Sequence, residues 1–255
     1  MNARFGVSRA KALAATALAA IAVSTVPGSA SATADAHSEH CGVITRNTIG
    51  SPVADLRDGP YGSYGKRGNF ARPPYGTGSL GISVADHSTS NSAPHEKVDF
   101  GNEVDFYGDP VLGLNKVGFH VFQTGENVDH GGPGNLPNIR FEINPNVSAH
   151  ASDTYSTLVW VPDPVTVTNQ WSPYLDATKT GYWYLTGNET ACTQAARCNF
   201  SQLQFSLNDG GPRPTIYSVA VGKGRDNLWA GAVDGLRIKK TIYDFEKDGV
   251  KTRRA

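Results

Sequence analysis

The chain has 255 residues and is formally neutral, because 23 Lys and Arg residues balance 23 Asp and Glu residues. Residues 1–34 contain three of these cations and none of the acids, so residues 35–255 carry 20 cations against 23 acids, a net charge of −3. Nucleic-acid phosphates require a concentrated basic surface, so this mildly acidic chain is not expected to bind nucleic acid. Residues 247–255 are the local exception, and we expect a solvated basic tail there.

Residues 1–34 have the pattern of a secretory signal peptide. A basic stretch at 4–11 precedes an uncharged, Ala-rich run at 12–26, and small residues at 27–34 supply a cleavage site. The apolar run is shorter than the roughly 20 residues that a membrane-spanning helix needs, and no later run approaches that length. The sequence therefore predicts a secreted, extracellular protein without a membrane span.

The chain has three cysteines, and export permits disulfide formation. Cys192 and Cys198 are close enough in sequence to close a short surface loop, and chain entropy predicts a gain of about 2 kcal/mol for so small a ring. Cys41 is then expected to be a thiol in a mobile N-terminal segment.

Residues 35–74 are polar and Gly-rich and predict loops or edge strands. Short alternating runs begin after this segment, with apolar residues at every second position in 80–84, 117–121 and 139–143. Such alternation is typical of strands that have one buried and one wet face. Further strands are predicted at 97–100, 157–161, 165–168, 182–185, 215–221, 233–238 and 241–245.

Turn-forming residues at 124–135 and 144–146 interrupt the strand pattern. One short helix is predicted, because Phe200, Leu203 and Leu207 follow helical spacing after Asn199, a suitable N-cap. The absence of strand and helix alternation favours an all-β fold. We therefore predict a two-sheet antiparallel, jelly-roll-like β-sandwich over residues 75–246, with one short helix.

Several segments between residues 73 and 246 resemble, in their order and spacing along the chain, a family of uncharacterised secreted bacterial β-sandwich proteins. The resemblance implies a jelly-roll-like fold whose last strands return to pair near the first, and it brings no established activity or catalytic residue. The run 233–238 is also similar to the final strand of carbohydrate-binding modules and laminin-type sandwiches. The segments that carry the resemblance are 73–80, 138–143, 157–162, 170–171, 182–183, 231–236 and 243–246.

A non-catalytic, lectin-like function is predicted from the aromatic residues and the polar strand positions. Sugars stack their apolar CH faces on Trp and Tyr, and their hydroxyl groups pair with carboxylates and guanidinium groups. In 182–185, alternation sends Trp183 inward and two tyrosines outward, while Trp160 is expected in the core. The predicted polysaccharide or glycan-binding residues are Arg140, Glu142, Trp171, Tyr182, Tyr184 and Trp229.

Two other classes of function are kept as alternatives. Glu103 and Asp105 resemble part of the acidic motif of retaining glucanases, which need two carboxyl groups about 5 to 5.5 Å apart, but Gly108 occupies the third acidic position. A glycoside hydrolase or polysaccharide lyase is therefore one alternative. A structural or interaction protein of the cell exterior is the other.

A structural calcium ion is the one cofactor considered. Exported sandwiches often bind Ca²⁺ through carboxylates and carbonyl oxygens, and Asp226 and Asp234 near the final strands are the candidate ligands. The seven His residues lack the spacing of a zinc site. Among them, His120 is expected at an exposed strand position.

Overall fold

The computed structural model describes residues 40–59, 71–85, 96–187 and 191–255. The predicted signal peptide, residues 1–34, lies outside these ranges. The described residues form thirteen strands, two α-helices and three short 3-10 helices. The strands are β1 (Cys41–Val43), β2 (Val53–Asp58), β3 (Gly78–Val84), β4 (Lys97–Asn102), β5 (Val117–Gln123), β6 (Asn138–Asn144), β7 (Ser156–Val161), β8 (Leu175–Asp176), β9 (Tyr182–Leu185), β10 (Thr215–Gly224), β11 (Trp229–Ile238), β12 (Thr241–Glu246) and β13 (Gly249–Arg254). The α-helices are α1 (Gly125–Gly131) and α2 (Phe200–Leu207), and the 3-10 helices are Thr45–Asn47, Val111–Gly113 and Ser148–His150.

Two antiparallel sheets pack as a sandwich, which confirms the predicted all-β fold. The six-stranded sheet has the order β1-β4-β10-β6-β7-β9. In the seven-stranded sheet, β11 pairs with β5 along one edge and with β3 and β12 along the other, while β2, β8 and β13 extend the sheet. The pairing of β11 with β3 brings a late strand back beside an early one, as the resemblance implied.

The core lies between the two sheets and follows the predicted alternation. Ile139 and Phe141 of the six-stranded sheet are fully buried, as is Leu80 of the seven-stranded sheet. Phe119 and Trp160 meet across the interface edge to face, with ring centroids 5.6 Å apart. Such aromatic pairs stabilise a core beyond the area that they bury.

Helix α2 forms where the sequence predicts it and is held by reciprocal capping. The Asn199 side chain accepts a hydrogen bond from the backbone N–H of Gln202, and the Gln202 side chain accepts one from the Asn199 N–H, each 2.9 Å long. Leu203 and Leu207 are buried on one side of the helix. Within the described residues, no helix is long and apolar enough to cross a membrane.

The predicted disulfide is present between Cys192 and Cys198. Cys41 lies in β1, which pairs with β4, and its Sγ is 3.6 Å from the side-chain nitrogen of Asn102. The prediction of a mobile segment at Cys41 was therefore wrong, whereas the edge strands predicted in residues 35–74 include β1 and β2.

Two predictions of local structure were wrong: the turn at 124–135 contains a helix, and the strand at 165–168 is absent from the described structure. Residues 125–131 form helix α1 within a predicted turn cluster, because the Asn127 amide pairs with both backbone groups of Ala230, at 2.8 and 2.9 Å, and fixes the turn on β11. Residues 165–168 form no strand. Instead, the Val165 N–H donates to the carbonyl of Pro133, 2.9 Å away.

The predicted basic tail is also incorrect, because residues 249–254 form strand β13. This strand pairs with β12 along its full length. Arg253 donates from Nε and Nη2 to the same carboxylate oxygen of the fully buried Asp244, at 2.8 and 2.7 Å. The basic residues for which we predicted a solvated tail therefore belong to a polar edge strand, and Arg253 forms an ion pair with the buried Asp244.

The outer side of the seven-stranded sheet, called the seven-strand face, is defined by Ser79, His120, Asp234, Asp244 and Glu246. Residues 71–77 lie against it. The backbone N–H groups of Tyr75 and Thr77 donate to Asp234 Oδ2 and Glu246 Oε1, each at 3.0 Å.

His120 on this face is partly buried rather than exposed as predicted. Its ring packs between Tyr75 and Tyr174, with centroid distances of 6.1 and 5.6 Å. The ring Nδ1 lies 3.0 Å from the carbonyl oxygen of Ser172. Burial lowers the pKa of His120, so this imidazole is neutral at physiological pH.

Candidate functional site

Four of the six predicted binding residues share the outer side of the six-stranded sheet. Their strand neighbours Ile139, Phe141, Trp183 and Leu185 belong to the core, so alternation directs these four side chains outward. We call this surface the six-strand face. It is defined by Asp99, Gly101, Arg140, Glu142, Thr157, Val159, Tyr182, Tyr184, Ser218, Ala220 and Gly222.

Strand register places Arg140 and Tyr184 in one row across this face. Arg140 lies opposite Ala220 on β10 and opposite Val159 on β7, and Val159 lies opposite Tyr184 on β9. Neighbouring strands are about 4.8 Å apart, so the backbones of Arg140 and Tyr184 are separated by roughly 10 Å. That span matches one to two sugar rings.

Tyr182 and Tyr184 are both partly buried on β9, and the predicted inward position of Trp183 is confirmed. The Arg197 guanidinium lies 4.1 Å from the centroid of the Tyr182 ring, in cation–π geometry. Burial raises the pKa of Tyr184, so its hydroxyl remains a neutral hydrogen-bonding group. The two rings thus present aromatic surface beside a cation.

The other two predicted binding residues do not lie on this face. Trp229 is fully buried in the core. Trp171 packs against Phe122 of the seven-stranded sheet, with centroids 5.7 Å apart, and its indole N–H donates to the carbonyl of Ala71 at 3.3 Å. Trp229 was therefore assigned wrongly, because a fully buried indole cannot stack on a sugar, and Trp171 lies apart from the other candidates, on the seven-stranded sheet.

Glu142 is the most heavily hydrogen-bonded acid on the six-strand face. Only 4% of the residue is exposed, so the prediction that it faces water was wrong. Its carboxylate pairs with Arg46 and accepts from the Asn47 amide at 2.8 Å and the Ser218 hydroxyl at 3.2 Å. Burial alone would raise the pKa of Glu142, but the bonds from Arg46 and Asn47 hold it below its ordinary value.

Arg46 bridges two carboxylates across the sheet. The 3-10 helix Thr45–Asn47 follows β1 and must lie over β4 and β10, because even the short Asn47 side chain reaches Glu142 on β6. Arg46 pairs there with Glu142 through Nη2 and with Glu103 through Nη1. The small residues Gly101 and Ala220 lie on the strands that are crossed and leave room above the sheet.

Three further tyrosines lie at the Glu142 end of this face. The Tyr155 hydroxyl is 3.3 Å from the Glu142 carboxylate, and Tyr155 is exposed. Tyr107 stacks in a tilted arrangement on Tyr217, with centroids 6.0 Å apart. The sequence analysis missed these residues and Arg46, since their partners are distant in the chain.

The opposite end of the face contains a buried acid shared by two cations. Asp99 is fully buried, pairs with Arg140 through Oδ1, and lies 3.2 Å from Lys97 Nζ through Oδ2. A Cβ atom at Gly222 would collide with Asp99 Oδ1, so glycine at this position makes room for the ion pair.

The predicted acidic motif does not form a glycosidase pair. Strand β4 ends at Asn102, whose side chain accepts from the N–H groups of Val104 and Asp105 at 2.8 and 2.7 Å and forms a turn. Glu103 pairs with Arg46, whereas Asp105 accepts from the Tyr243 hydroxyl at 2.7 Å. The alternation that would direct both acids into one cleft is therefore missing.

The two candidate calcium ligands have other partners. Asp226 pairs with Lys223 in the turn between β10 and β11. Asp234 accepts from the backbone N–H groups of Tyr75, Gly235 and Phe245 and is fully buried. No group of three or more potential metal-ligating His, Cys, Asp or Glu side chains occurs in the described ranges.

Comparisons of the chain with protein families, with curated proteins and with solved structures find no match.

Proposed function

We propose that the protein is a non-catalytic, lectin-like β-sandwich that binds a polysaccharide or glycan on its six-strand face. The observation that carries this proposal is the row of Arg140, Val159 and Tyr184, with Tyr182 and Arg197 beside it. The row combines aromatic surface with guanidinium donors. This is the pairing of chemistries that a sugar ring requires.

The state of Glu142 supports binding rather than hydrolysis. A general acid in a glycosidase needs a raised pKa, so that it carries a proton near neutral pH. Arg46 and Asn47 instead hold the pKa of Glu142 below its ordinary value. Glu142 is therefore ionised, and its carboxylate serves to hold Arg46 and Asn47 on the six-strand face.

We also propose that the protein works outside the cell. The signal-peptide pattern in residues 1–34 supports export. The Cys192–Cys198 disulfide fits an oxidising compartment, where such bonds persist.

The proposal is tested by a glycan array and by pull-down on insoluble polysaccharides with the purified protein. Saturable binding is expected, and Tyr184→Ala should weaken it about tenfold, or about 1.4 kcal/mol. Phe205→Ala is the control, since Phe205 is an exposed aromatic residue on helix α2, outside the six-strand face, and its loss should leave the affinity unchanged. Melting curves verify that each variant folds.

Two results would contradict this function. Absence of saturable binding to every glycan would favour a structural or interaction protein of the cell exterior. Release of reducing sugar from a polysaccharide, abolished by Glu103→Gln, would identify a hydrolase instead.

A further inference from the structure

The Arg140 end of the six-strand face contains more cations than acids. Arg140 and Lys97 share the single carboxylate of Asp99, and Lys223 pairs with Asp226. The Glu96 carboxylate is bound by the backbone N–H groups of Ser51 and Ala85, at 3.0 and 2.7 Å. Together with the exposed residues Arg197 and Arg225, the described ranges place five cations and three acids in this part of the sheet.

Arg225 is the cation best placed to receive a ligand. It is exposed at the turn between β10 and β11, and its backbone N–H donates to the carbonyl of Glu96 at 3.1 Å. Within the described ranges, its guanidinium has no carboxylate partner. It can therefore pair with an incoming anion without breaking an ion pair to a described acid.

The cations are close enough to repel one another. Burial lowers the pKa of Lys97, and the positive charges of Arg140 and Arg225 lower it further. Arg140 also opposes protonation of the buried Lys223, whose pKa is lowered mainly by burial. An added negative charge would relieve this repulsion, which is the electrostatic condition for an anion site.

Aromatic surface adjoins the same cations. The positive charges of Arg140 and Arg197 lower the pKa of the Tyr184 hydroxyl, and the negative charge of Asp226 raises it, so all three groups lie near this tyrosine. Arg197 covers the Tyr182 ring at 4.1 Å. A sugar ring stacked on Tyr184 would thus place a charged substituent near the guanidinium groups of Arg140 and Arg197.

We propose that the carbohydrate bound by the six-strand face is anionic, that Arg140 binds one of its carboxylate or sulfate groups beside Tyr184, and that Arg225, at the turn after β10, binds another. This inference rests on the proposed function and specifies its ligand class. Guanidinium groups suit both anions, because their planar donors can form paired, charge-assisted hydrogen bonds to either one.

The test compares polymers of one backbone that differ in charge. Polygalacturonate is titrated beside its fully methyl-esterified form, and dextran sulfate beside dextran, by isothermal calorimetry at low and high salt. Binding of at least one anionic polymer is expected, with its neutral partner about tenfold weaker or more, and with a loss of affinity as salt rises. The carboxylated and sulfated arms distinguish the two anions.

Arg225→Gln should weaken anionic binding about tenfold, or about 1.4 kcal/mol, whereas Arg225→Lys should retain part of it. Arg225 is exposed, so its substitution should leave the fold intact. Lys247→Gln is the control, because it removes an exposed cation from the turn between β12 and β13 on the other sheet.

The outcomes separate the two proposals. Equal binding of neutral and anionic polymers, unaffected by Arg225→Gln, would overturn the anionic ligand while leaving carbohydrate binding in place. Failure of every neutral and charged glycan to bind would overturn both proposals.

Discussion

The two outer faces of the sandwich both bury acids, and apart from Asp244, which pairs with Arg253, these acids have different donors on the two faces. On the seven-strand face, Asp234 and Glu246 accept from backbone N–H groups of residues 71–77. On the six-strand face, Glu142 and Asp99 pair with the guanidinium groups of Arg46 and Arg140. Backbone donors are fixed by the fold, whereas an exposed guanidinium such as that of Arg225 can turn toward a ligand. This difference agrees with our proposal that the ligand binds on the six-strand face.

The faces also differ in how they shift acid pKa values. Burial raises the pKa of Asp234 to about 8, although three backbone N–H groups oppose this shift. Burial would likewise raise the pKa of Glu142, but Arg46 and Asn47 reverse its effect. Asp234 and Glu142 thus differ in whether a cation opposes the effect of burial, whereas burial raises the pKa of Asp244 even though Arg253 opposes it.

The largest expected effect is a loss of stability with rising pH that originates at Asp234. Its folded pKa of about 8 exceeds its ordinary value of 3.8, so the folded state binds more protons between these pH values. Its contribution to stability is full below about pH 4 and is lost as pH rises toward 8, by at most about 1.4 kcal/mol per pH unit. Urea denaturation from pH 5 to pH 8 measures this loss.

Asp234→Asn should remove this pH dependence, because the amide stays neutral. Asp226→Asn is the matched control, because Asp226 is a half-exposed acid. This variant should leave the pH dependence of the free energy of unfolding unchanged. A wild-type stability that stays flat over this range would mean that the three N–H groups keep Asp234 ionised. The contrast between the two faces would then disappear.

Trp229→Ala is expected to have the next largest effect. Removing a fully buried indole leaves a cavity in the core and should cost about 3–5 kcal/mol in the free energy of unfolding. The fraction that remains folded should bind glycan with unchanged affinity, because Trp229 lies between the faces and on neither. Stability comes from denaturant curves and affinity from titration of the folded fraction. A loss of glycan affinity in the folded fraction would contradict this expectation and show that Trp229 contributes to glycan binding.

Arg46→Met tests the ion pairs of the six-strand face and should have the smallest effect. The buried Glu142 carboxylate would lose its guanidinium, at a cost of about 1–3 kcal/mol in urea denaturation. The double variant Arg46→Met/Glu142→Met should recover much of this loss, since it leaves no buried charge unpaired. A single variant as stable as the wild type would show that Arg46 does not stabilise Glu142.

The sequence predicted those parts of the fold whose determinants are local. Alternation identified β3, β5, β6 and β9, and the capping residues Asn199 and Gln202 lie within one turn of helix α2. The prediction failed for β13, because its pattern contains only one buried apolar residue, Val250. Its pairing depends on the buried Asp244 of the neighbouring strand, which no local pattern reveals.

The candidate site was predictable only where alternation applied. Arg140, Tyr182 and Tyr184 were placed correctly on an outward face, but Glu142 was expected in water. Its burial depends on Arg46 and Asn47, which lie 96 and 95 residues away in the chain. Trp229 was misplaced because an aromatic residue suits a core as well as a sugar site.

The bridge from Arg46 to Glu142 also bears on the order of folding. A contact that spans 96 residues must close a long loop before it contributes any stability. Ile44 and Ile49, which flank the 3-10 helix of Arg46, bond to the backbone of β4, but Arg46 can meet Glu142 only once β6 has joined the sheet. We therefore expect the contacts of Arg46 on the six-strand face to form late in folding, although Arg46 stands early in the chain.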